Sequence, residues 1–419
     1  MTADLSTCAP SVAPTEPTTL RECVSTLLKQ RRHGFAVARC AVFDYREIAG
    51  SLGPAAASRL LDHVGGRIAR CLGPNDAWAV LPDGEFLVLL DTADHGPASL
   101  EARLEGLVRE GSGWTSDVFG QLTVGGATAM PGDDIDSLLS RADLALATGC
   151  RRGPGTVTVC GPGLVTDALA RVSLDADLRR AVEADRLTVH YQPVVDLDGG
   201  DTVGYEALAR WPDQDRGWVR PDEFIPAAER TGLISDIGMR VLRQGLRDMK
   251  RYGGSRAAWL SVNVSPVQLD DDGFARHLLR ALDRERMRGD RVRVEVTESS
   301  LLSSARSRAQ LVELRRHGVR VLVDDFGTGF SGLASLRRLP IDGIKISREL
   351  LHDEEPGLPD PTVVRAVRLL AAGAGVTEII AEGVESALEV RTLSALGMPY
   401  AQGFHLGRPA PASRAFRWV

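Results

Sequence analysis

The sequence lacks any apolar run near the roughly 20 residues that a membrane-spanning helix needs. Its first segment, MTADLSTCAPSVAPTEPTT, has neither a basic start nor an apolar core, so it does not form a secretory signal. Positive charge is not in excess either, because the formal net charge is -6. These absences give no reason to expect a membrane segment or a nucleic-acid polymer as partner, and we expect a cytoplasmic protein.

Cysteine is absent beyond position 160, and none of the six cysteines stands at zinc-ligand or Cys-x-x-Cys spacing, so reduced thiols are expected. Lysine and asparagine are scarce: only three of the 50 basic residues are lysine, and two asparagines occur. Lysine can lose its proton in a perturbed environment, whereas arginine effectively cannot. Composition alone favours chance retention, so Lys345 and Asn263 are candidates and no more at this point.

The length of 419 residues, with 43% hydrophobic and 25% charged residues, fits a globular protein of two domains. Residues 1–18, rich in Ser, Thr, Pro and Ala, are predicted to be a disordered leader. A first domain is expected over 19–162, a linker over 163–172 and a second domain over 173–419. In the first domain the pattern favours a mixed α/β fold, with strands at 35–45, 77–90 and 121–130 and helices near 55–71, 98–110 and 135–147.

The second half alternates β-branched runs with stretches of helical period. The predicted strands are 187–195, 202–211, 258–265, 291–299, 320–327, 343–350, 378–386 and 400–407. The predicted helices are 225–251, with an interruption at Gly232, and 274–287, 303–317, 362–372 and 387–396. This order and size match a TIM-like (β/α)₈ barrel whose first connections are irregular.

Polar side chains interrupt the apolar pattern of these strands. They fall in or just after eight different strands, at Gln192, Glu206, Asn263, Glu295, Glu298, Asp324, Asp325, Lys345, Glu382 and Gln402. In such barrels the chemistry collects at the C-terminal ends of the strands. Because a buried carboxylate without a partner is costly, several of them at one barrel mouth indicate divalent cations.

The motifs around these residues occur in a specific order. They are Tyr191-Gln192-Pro193, Glu206-Ala207-Leu208-Ala209-Arg210-Trp211, Asn263-Val264-Ser265, Glu295-Val296-Thr297-Glu298, Asp324-Asp325-Phe326-Gly327-Thr328-Gly329, Lys345-Ile346, Ala381-Glu382-Gly383-Val384-Glu385 and Gln402-Gly403-Phe404. Each triplet alone is a weak signal. The full set resembles the EAL family of cyclic di-GMP phosphodiesterases, and the resemblance covers the whole second half.

The resemblance implies hydrolysis of cyclic di-GMP to linear pGpG with two divalent ions, Mg²⁺ or Mn²⁺. Two hard cations about 3.5–4 Å apart can activate a nucleophile, neutralise the phosphate and assist the leaving oxygen, and they prefer oxygen ligands. The resemblance assigns Glu206, Asn263, Glu295 and Asp324 to the first ion. It assigns Asp324 and Asp325 to the second, and Glu382 holds a metal-bound water or completes the shell.

The resemblance also assigns the remaining roles. Lys345 is the proposed general base, since burial beside two cations lowers the pKa of a lysine. An ion pair with Asp325 is the other role open to Lys345. Arg210, on the strand face of Glu206 and Leu208, suits a phosphate oxygen, and Gln192 and Gln402 suit polar contacts to substrate. Glu298 is expected to anchor the glycine-rich loop after Asp325. Ser347 replaces the usual aspartate, so altered support around the site is expected.

The first half resembles a GGDEF (diguanylate cyclase) domain that has degenerated. Its signature hairpin reads Pro82-Asp83-Gly84-Glu85-Phe86, so both glycines are replaced and the metal-side acid is a glycine. Proline also removes a backbone donor where a triphosphate needs close approach. The strand expected to end in aspartates has Ala41 and Phe43 instead. Cyclase activity is therefore not expected. GTP sensing, dimerisation and docking to a partner stay open, and a regulatory or protein-interaction role is favoured over GTP sensing.

Two alternatives to catalysis by the second half stay open. One is a non-catalytic receptor for cyclic di-GMP or a partner-binding regulator, which the intact acids and lysine argue against. The other is an unrelated enolase-type barrel, which also combines a lysine with carboxylate-bound Mg²⁺. The resemblance further suggests a homodimer formed through the segment near the DFGTG loop.

Overall fold

The computed structural model describes residues 14–30, 34–92, 97–114, 119–252, 258–298, 301, 304–327, 339–352 and 358–416. The chain divides into two compact units, Met1–Val172 and Ser173–Val419. The predicted leader falls mostly outside the described residues, and the first helix begins at Pro17. The residues predicted as a linker lie within one helix, Pro162–Glu183. Among the described helices, none has the length and apolar character to cross a bilayer.

The first unit is built on a five-stranded sheet. Its strands are β1 (Phe35–Val42), β2 (Ala77–Leu81), β3 (Glu85–Asp91), β6 (Leu122–Thr128) and β7 (Val157–Val159), with a separate short pair, β4 (Gly113–Trp114) and β5 (Phe119–Gly120). The spatial order is β2-β3-β1-β6-β7. Only the β6–β7 pairing is parallel, so the sheet is mixed.

Helices cover both faces of this sheet, because alternate residues of β1 enter two different cores. Phe35 and Val37 pack in one core, and Ala36, Ala38 and Cys40 pack in the other. The helices of the unit are Pro17–Lys29, Tyr45–Leu52, Pro54–Arg70, Pro97–Gly111 and Ile135–Arg152. This three-layer arrangement confirms the predicted mixed α/β fold. The segment 77–90, predicted as a strand, is a hairpin whose turn is Pro82–Gly84.

The cysteines follow the prediction in part. Cys40, Cys71, Cys150 and Cys160 are free thiols. Burial raises the pKa of the Cys40 thiol to about 12, so it is a packed side chain rather than a reactive one. Cys23 is disulfide-bonded, and the expectation that the thiols are all reduced is wrong there.

The second unit is a closed barrel of eight strands with two short strands at its margin. The barrel strands are β8 (Thr188–Asp196), β9 (Thr202–Asp213), β11 (Trp259–Asn263), β12 (Val292–Thr297), β13 (Arg320–Phe326), β14 (Gly343–Ile346), β15 (Glu378–Ala381) and β16 (Tyr400–Ala401). The marginal strands are β10 (Gly217–Val219) and β17 (Ala410–Pro411). The pairing of β8 with both β9 and β16 closes the barrel.

The barrel departs from the ideal at its first strand, as the sequence indicated. Strand β8 runs antiparallel to β9 and to β16, whereas the pairings from β9 through β11 to β16 are parallel. The reason is local: β8 and β9 are joined by a short turn, which can connect only antiparallel neighbours. The C-terminal ends of β9 and of β11 to β16 therefore share one mouth.

Helices surround the barrel between its strands. They are Pro221–Thr231, Ile234–Tyr252, Pro266–Leu269, Phe274–Glu285, Ala305–Arg316, Arg348–Leu351, Pro361–Ala374, Ala387–Ala395 and Ala412–Ala415. Gly232, at φ +77°, ends the first of these, which confirms the predicted interruption. Three predicted strands are too long. Residues 348–351 are helical because Ser347 caps them, and β15 and β16 stop at Ala381 and Ala401.

The opposite end of the barrel holds a charge cluster of its own. Arg293 is buried, donates two hydrogen bonds to Glu378 at 2.8 and 3.2 Å, and lies 4.6 Å from the ring centre of Trp259. Arg320 also pairs with Glu378. These residues lie at strand starts, where conserved architecture rather than chemistry is expected in such barrels. Two arginines thus share the single carboxylate of Glu378.

Candidate active site at the mouth of the barrel

The polar residues predicted from the strand pattern meet at the mouth of the barrel. Glu206 lies in β9, Asn263 ends β11, Glu295 lies in β12, Asp324 in β13 and Lys345 in β14. Parallel pairing places Asn263 beside Glu295 in register, so their side chains emerge at the same level. Glu382 and Gln402 come directly after the last residues of β15 and β16.

Lys345 is the centre of this group. Its side chain is only 2% exposed, and its Nζ lies 2.6 Å from Glu382, 2.9 Å from Glu295, and 3.3 Å from both Glu206 and Asp324. The alternative that Lys345 pairs chiefly with Asp325 is not what the structure shows, since the ion pairs at hydrogen-bond range run to these four carboxylates. Lys345, in β14, thus pairs with side chains from β9, β12 and β13 and with Glu382 at the end of β15.

Electrostatics at this point are dominated by negative charge. Burial lowers the pKa of Lys345, but the carboxylates of Glu206, Glu295, Glu382 and Asp324 outweigh it and hold that pKa well above the usual range. The lowered pKa expected for a lysine beside two bound cations stays a prediction. The balance between burial and the charges around the ammonium decides whether the pKa of Lys345 is raised or lowered.

The carboxylates themselves respond unequally. Burial, and then the negative charge of Glu206, raise the pKa of Glu295 well above its usual range. Burial also raises the pKa of Glu382 to about 7, with Asp324 and Glu206 adding to the effect. For Glu206 burial is outweighed by Lys345 and by hydrogen bonds, and its pKa is lowered. Four acids facing one ammonium therefore leave negative charge that a further cation would stabilise.

Glu206 is held in place by two amide donors. Asn263 Nδ2 donates to its Oε1 at 2.6 Å, and Gln402 Nε2 donates to its Oε2 at 2.7 Å. The side-chain amide oxygen of Gln402 (Oε1) and the Oε1 atom of Glu295 are buried and accept no hydrogen bond from any described residue. Unpartnered buried oxygens are costly, and oxygen-only donor sets are the ligands that Mg²⁺ and Mn²⁺ prefer. These residues fit a divalent cation.

A second acidic group adjoins the first. Oxygen atoms of Asp324, Asp325 and Glu382 lie within 4.8 Å of one another. Asp325 adopts a left-handed backbone conformation, with φ +51°, which turns its side chain away from the pleat of β13. Burial, followed by the charge of Asp324, raises the pKa of Asp325. These three residues are the ones predicted for the second ion and its surroundings.

Two cavities flank the acids and contain the predicted substrate-binding residues. One, of about 280 Å³, is lined by Leu208 and Arg210 together with Asn263, Glu295 and Asp324. The other, of about 230 Å³, is lined by Gln192, Gln402, Glu206 and Glu382. Burial lowers the pKa of Arg210, whose guanidinium donates to the carbonyl of Ala209 at 2.8 Å. A half-buried cation beside an acidic centre can bind an anionic group that bridges both cavities.

Two predicted roles concern the loop after Asp325. Glu298 is buried, but residues 328–338, which include most of the glycine-rich loop, lie outside the described residues. Its predicted anchoring role and the proposed dimer contact near that loop stay predictions. Sequence reasoning missed Phe404, which borders the second cavity at 49% exposure and stacks under Arg408 at 4.3 Å. An exposed aromatic residue directly after Gln402-Gly403 was the available signal.

The first unit offers a contrasting acidic site at its hairpin. Asp83 and Gly84 both have positive φ, and a side chain at Gly84 would collide with Tyr45. Glu85, the acid that follows, pairs with Arg39 at 2.5 Å. Arg39 in turn lies 3.0 Å from Asp143. The acidic groups of this hairpin region are thus paired with a cation that the chain itself supplies.

Comparison with known proteins agrees with this geometry. Residues 175–409 match the family model of the EAL domain. The chain belongs to the EAL domain family. Residues 18–154 match the diguanylate cyclase, GGDEF domain. Both resemblances inferred from the motifs are confirmed, and membership of the EAL family sets aside the enolase-type alternative.

Individual relatives in the EAL family extend over most of this chain. The bifunctional diguanylate cyclase/cyclic di-GMP phosphodiesterase MucR of Pseudomonas aeruginosa is 32% identical over 407 residues, 94% of this chain and 58% of the relative. The cyclic di-GMP phosphodiesterase NbdA of the same organism is 30% identical over 400 residues, 93% and 51% respectively. The chain thus spans about half the length of these curated relatives.

A solved structure resembles the second unit. The structure of the MucR phosphodiesterase from Pseudomonas aeruginosa in complex with cyclic di-GMP is 38% identical, with a TM-score of 0.54. The match covers 58% of this chain and 99% of that one. The fold is therefore shared with a protein whose structure was solved in complex with cyclic di-GMP.

Proposed function

We propose that the barrel hydrolyses cyclic di-GMP to linear pGpG. The observation that carries the proposal is the buried Lys345 surrounded by four carboxylates at the mouth of an EAL-family barrel. The names of the relatives MucR and NbdA support the substrate and the reaction. Buried charge of one sign in excess is costly to the fold, and a site that keeps it is a candidate for function.

Divalent cations, Mg²⁺ or Mn²⁺, are proposed as cofactors. Glu206, Asn263, Glu295 and Asp324 would hold one ion, and Asp324, Asp325 and Glu382 would hold or border the other. When bound, the ions would neutralise the phosphate and lower the pKa of water. Support comes from the oxygen-only donor set, the unpartnered buried oxygens of Glu295 and Gln402, and the convergence of Asp324, Asp325 and Glu382.

The side chains around the ions have separate roles in phosphodiester cleavage. As an ammonium within 3.3 Å of Glu206, Glu295, Asp324 and Glu382, Lys345 would orient the attacking water toward phosphorus. The general-base role requires the neutral amine, which bound cations beside Lys345 would favour. Arg210 binds a phosphate oxygen from the cavity that it lines with Leu208. Gln192 and Gln402 contact the substrate from the second cavity.

The balance of the reaction is simple. Water adds to phosphorus, one bond from phosphorus to a ribose 3′ oxygen breaks, and that oxygen takes up a proton. The product is a linear dinucleotide with a 5′ phosphate. Glu382, whose pKa burial raises to about 7, lies 2.6 Å from the Nζ of Lys345, within hydrogen-bond distance of it.

The decisive experiment incubates the purified chain with cyclic di-GMP and Mn²⁺ beside a Glu206→Ala variant. We expect linear product from the parent chain and none from the variant, because Glu206 binds both amide donors and Lys345. Chromatography of the nucleotides gives the answer directly. Tight binding of cyclic di-GMP without product would favour the receptor role instead, and indifference to the nucleotide would contradict both.

For the first unit we propose a regulatory or protein-interaction role without cyclase activity. The support is the loss of the glycines and acid from the hairpin, together with the pairing of Glu85 with Arg39. The side chains Ala41 and Phe43 cannot bind a metal at the strand where aspartates are expected. Formation of cyclic di-GMP from GTP and Mg²⁺ by the purified chain would contradict this assignment.

A further inference from the structure

The four-residue helix Arg348–Leu351 begins directly after the strand that carries Lys345. Ser347 starts it: this side chain is buried, and its Oγ accepts a hydrogen bond from the backbone N–H of Leu350 at 3.4 Å. Serine and aspartate are equally good N-cap residues. Ser347, the one departure from the usual family pattern, therefore keeps a helix-starting role at this position.

One side of this helix contacts the end of β13. Leu350 packs on Gly327, which lies two residues after Asp325 and has φ +103°. A Cβ atom at Gly327 would collide with the side chain of Leu350. The close approach of Leu350 thus requires a glycine there, and it fixes the turn that follows Asp324 and Asp325.

The other side of the helix contacts the turn after β15. A Cβ atom at Gly383, which has φ +66°, would lie 2.8 Å from the Cβ of Arg348. The Arg348 guanidinium donates to the carbonyl oxygen of Gly383 and pairs with Glu385 at 3.3 Å. Gly383 directly follows Glu382. Arg348 therefore fixes the backbone of the turn that presents the Glu382 carboxylate.

Glu389 extends this second contact into a network. Its Oε1 lies 3.5 Å from Arg348, and its Oε2 accepts hydrogen bonds from the backbone N–H groups of Glu385 at 2.6 Å and Ser386 at 3.0 Å. Glu389 is 5% exposed, so these bonds are shielded from water. The turn from Glu382 to Ser386 is held at both ends by one arginine and one glutamate.

We propose that the helix Arg348–Leu351 is a clamp between two acidic segments: the end of β13, which carries Asp324 and Asp325, and the turn after β15, which carries Glu382. The clamp sets the distance between these segments, and Arg348 and Leu350 are its positioning residues. These two segments present Asp324, Asp325 and Glu382. Their carboxylate oxygens lie within 4.8 Å of one another and fit a divalent cation. Outer contacts of this kind typically change metal affinity by about 10–100-fold when they are lost. The inference rests on the proposed cation-dependent function, and it assigns cation affinity to residues that touch neither cation nor substrate.

The test is calorimetric titration of Mn²⁺ into the full chain without nucleotide. Arg348→Lys keeps the charge but removes the planar fork, and Leu350→Ala removes the packing on Gly327. We expect each to weaken Mn²⁺ binding by about 10-fold or more. The control is Arg316→Ala, an exposed arginine that pairs with Glu313 at 3.4 Å on an outer helix, and its Mn²⁺ affinity should match that of the parent chain.

The thermal midpoint of each variant is measured beside the titration. If Arg348→Lys and Leu350→Ala lower the midpoint yet bind Mn²⁺ as the parent does, the helix is merely structural and the clamp is overturned. If one variant does not fold, the other decides. Absence of Mn²⁺ binding by the parent chain would overturn the proposed function and the clamp together, whereas loss of affinity in the variants alone supports the clamp.

Discussion

In the barrel, Lys345 is surrounded by four carboxylates, whereas in the first unit Arg39 lies between two, Glu85 and Asp143. Lys345 is almost completely buried, and the Arg39 side chain is 22% exposed. The barrel site therefore holds a larger excess of negative charge, and holds it away from water, whereas the acids around Arg39 are fewer and partly exposed. Motif residues alone cannot show this, because both regions contain acids near a base. The difference teaches that the number and burial of the partners separate a site able to bind cations from an ion pair.

The largest expected effect tests Lys345 itself. Lys345→Arg keeps a positive charge among the carboxylates but removes a group that can exchange a proton, so turnover should fall by about 10²–10⁴-fold. Binding of cyclic di-GMP, measured by calorimetry with Ca²⁺ replacing Mn²⁺ to prevent turnover, should survive. Near-normal turnover in the variant would show that Lys345 is only a charge anchor, like Arg39.

A second prediction separates the two acidic regions by their response to cations. Mn²⁺ at 100 times its dissociation constant should stabilise the barrel by about 2.7 kcal/mol, since it binds the folded state alone. Scanning calorimetry of the full chain with Mn²⁺ and with a chelator measures this as a rise in the barrel transition. In Glu295→Gln, which lacks one of the four carboxylates, the rise should shrink. A rise of equal size in that variant would contradict the cation assignment.

The smallest expected effect lies in the first unit. Glu85→Gln breaks the pair with Arg39, whose partners are 22% and 29% exposed, and should reduce the free energy of unfolding by no more than about 1 kcal/mol. Urea titration of the parent chain and the variant, followed by their total tryptophan fluorescence, checks it. If the free energy of unfolding fell by about 3 kcal/mol or more, the Arg39–Glu85 pair would behave as a buried ion pair, and the proposed difference from the barrel site would be contradicted.

Much of the site was predictable because its residues interrupt an otherwise apolar strand pattern. Glu206, Glu295 and Asp324 stand in strands whose neighbours are Val, Ala and Leu, and this local contrast is visible in the sequence. The break at Gly232 and the irregular first connections were also indicated by local residues, but the antiparallel direction of β8 was not. The ends of β14, β15 and β16 were not, because Ser347 caps a helix and Gly383 reverses the chain through contacts with distant side chains.

The charge state of Lys345 shows the same limit more sharply. From the sequence, two cations would lower its pKa; in the structure four carboxylates raise it. Both statements follow from one rule, that nearby charge stabilises the opposite form. Only the list of neighbours differs, and that list depends on which side chains the barrel brings together.

The sequence by itself determined the two domains, the order of strands and helices, and the set of acids, amides and one lysine at the strand ends. Periodicity and motif spacing are local properties of the chain, and they suffice for those conclusions. Only the tertiary structure decided which residues surround Lys345, since Glu206 and Glu295 lie 139 and 50 positions away from it. It also decided that one short helix touches both acidic segments. Closure of the barrel brings these distant groups within a few ångströms, and charge, burial and affinity depend on that distance.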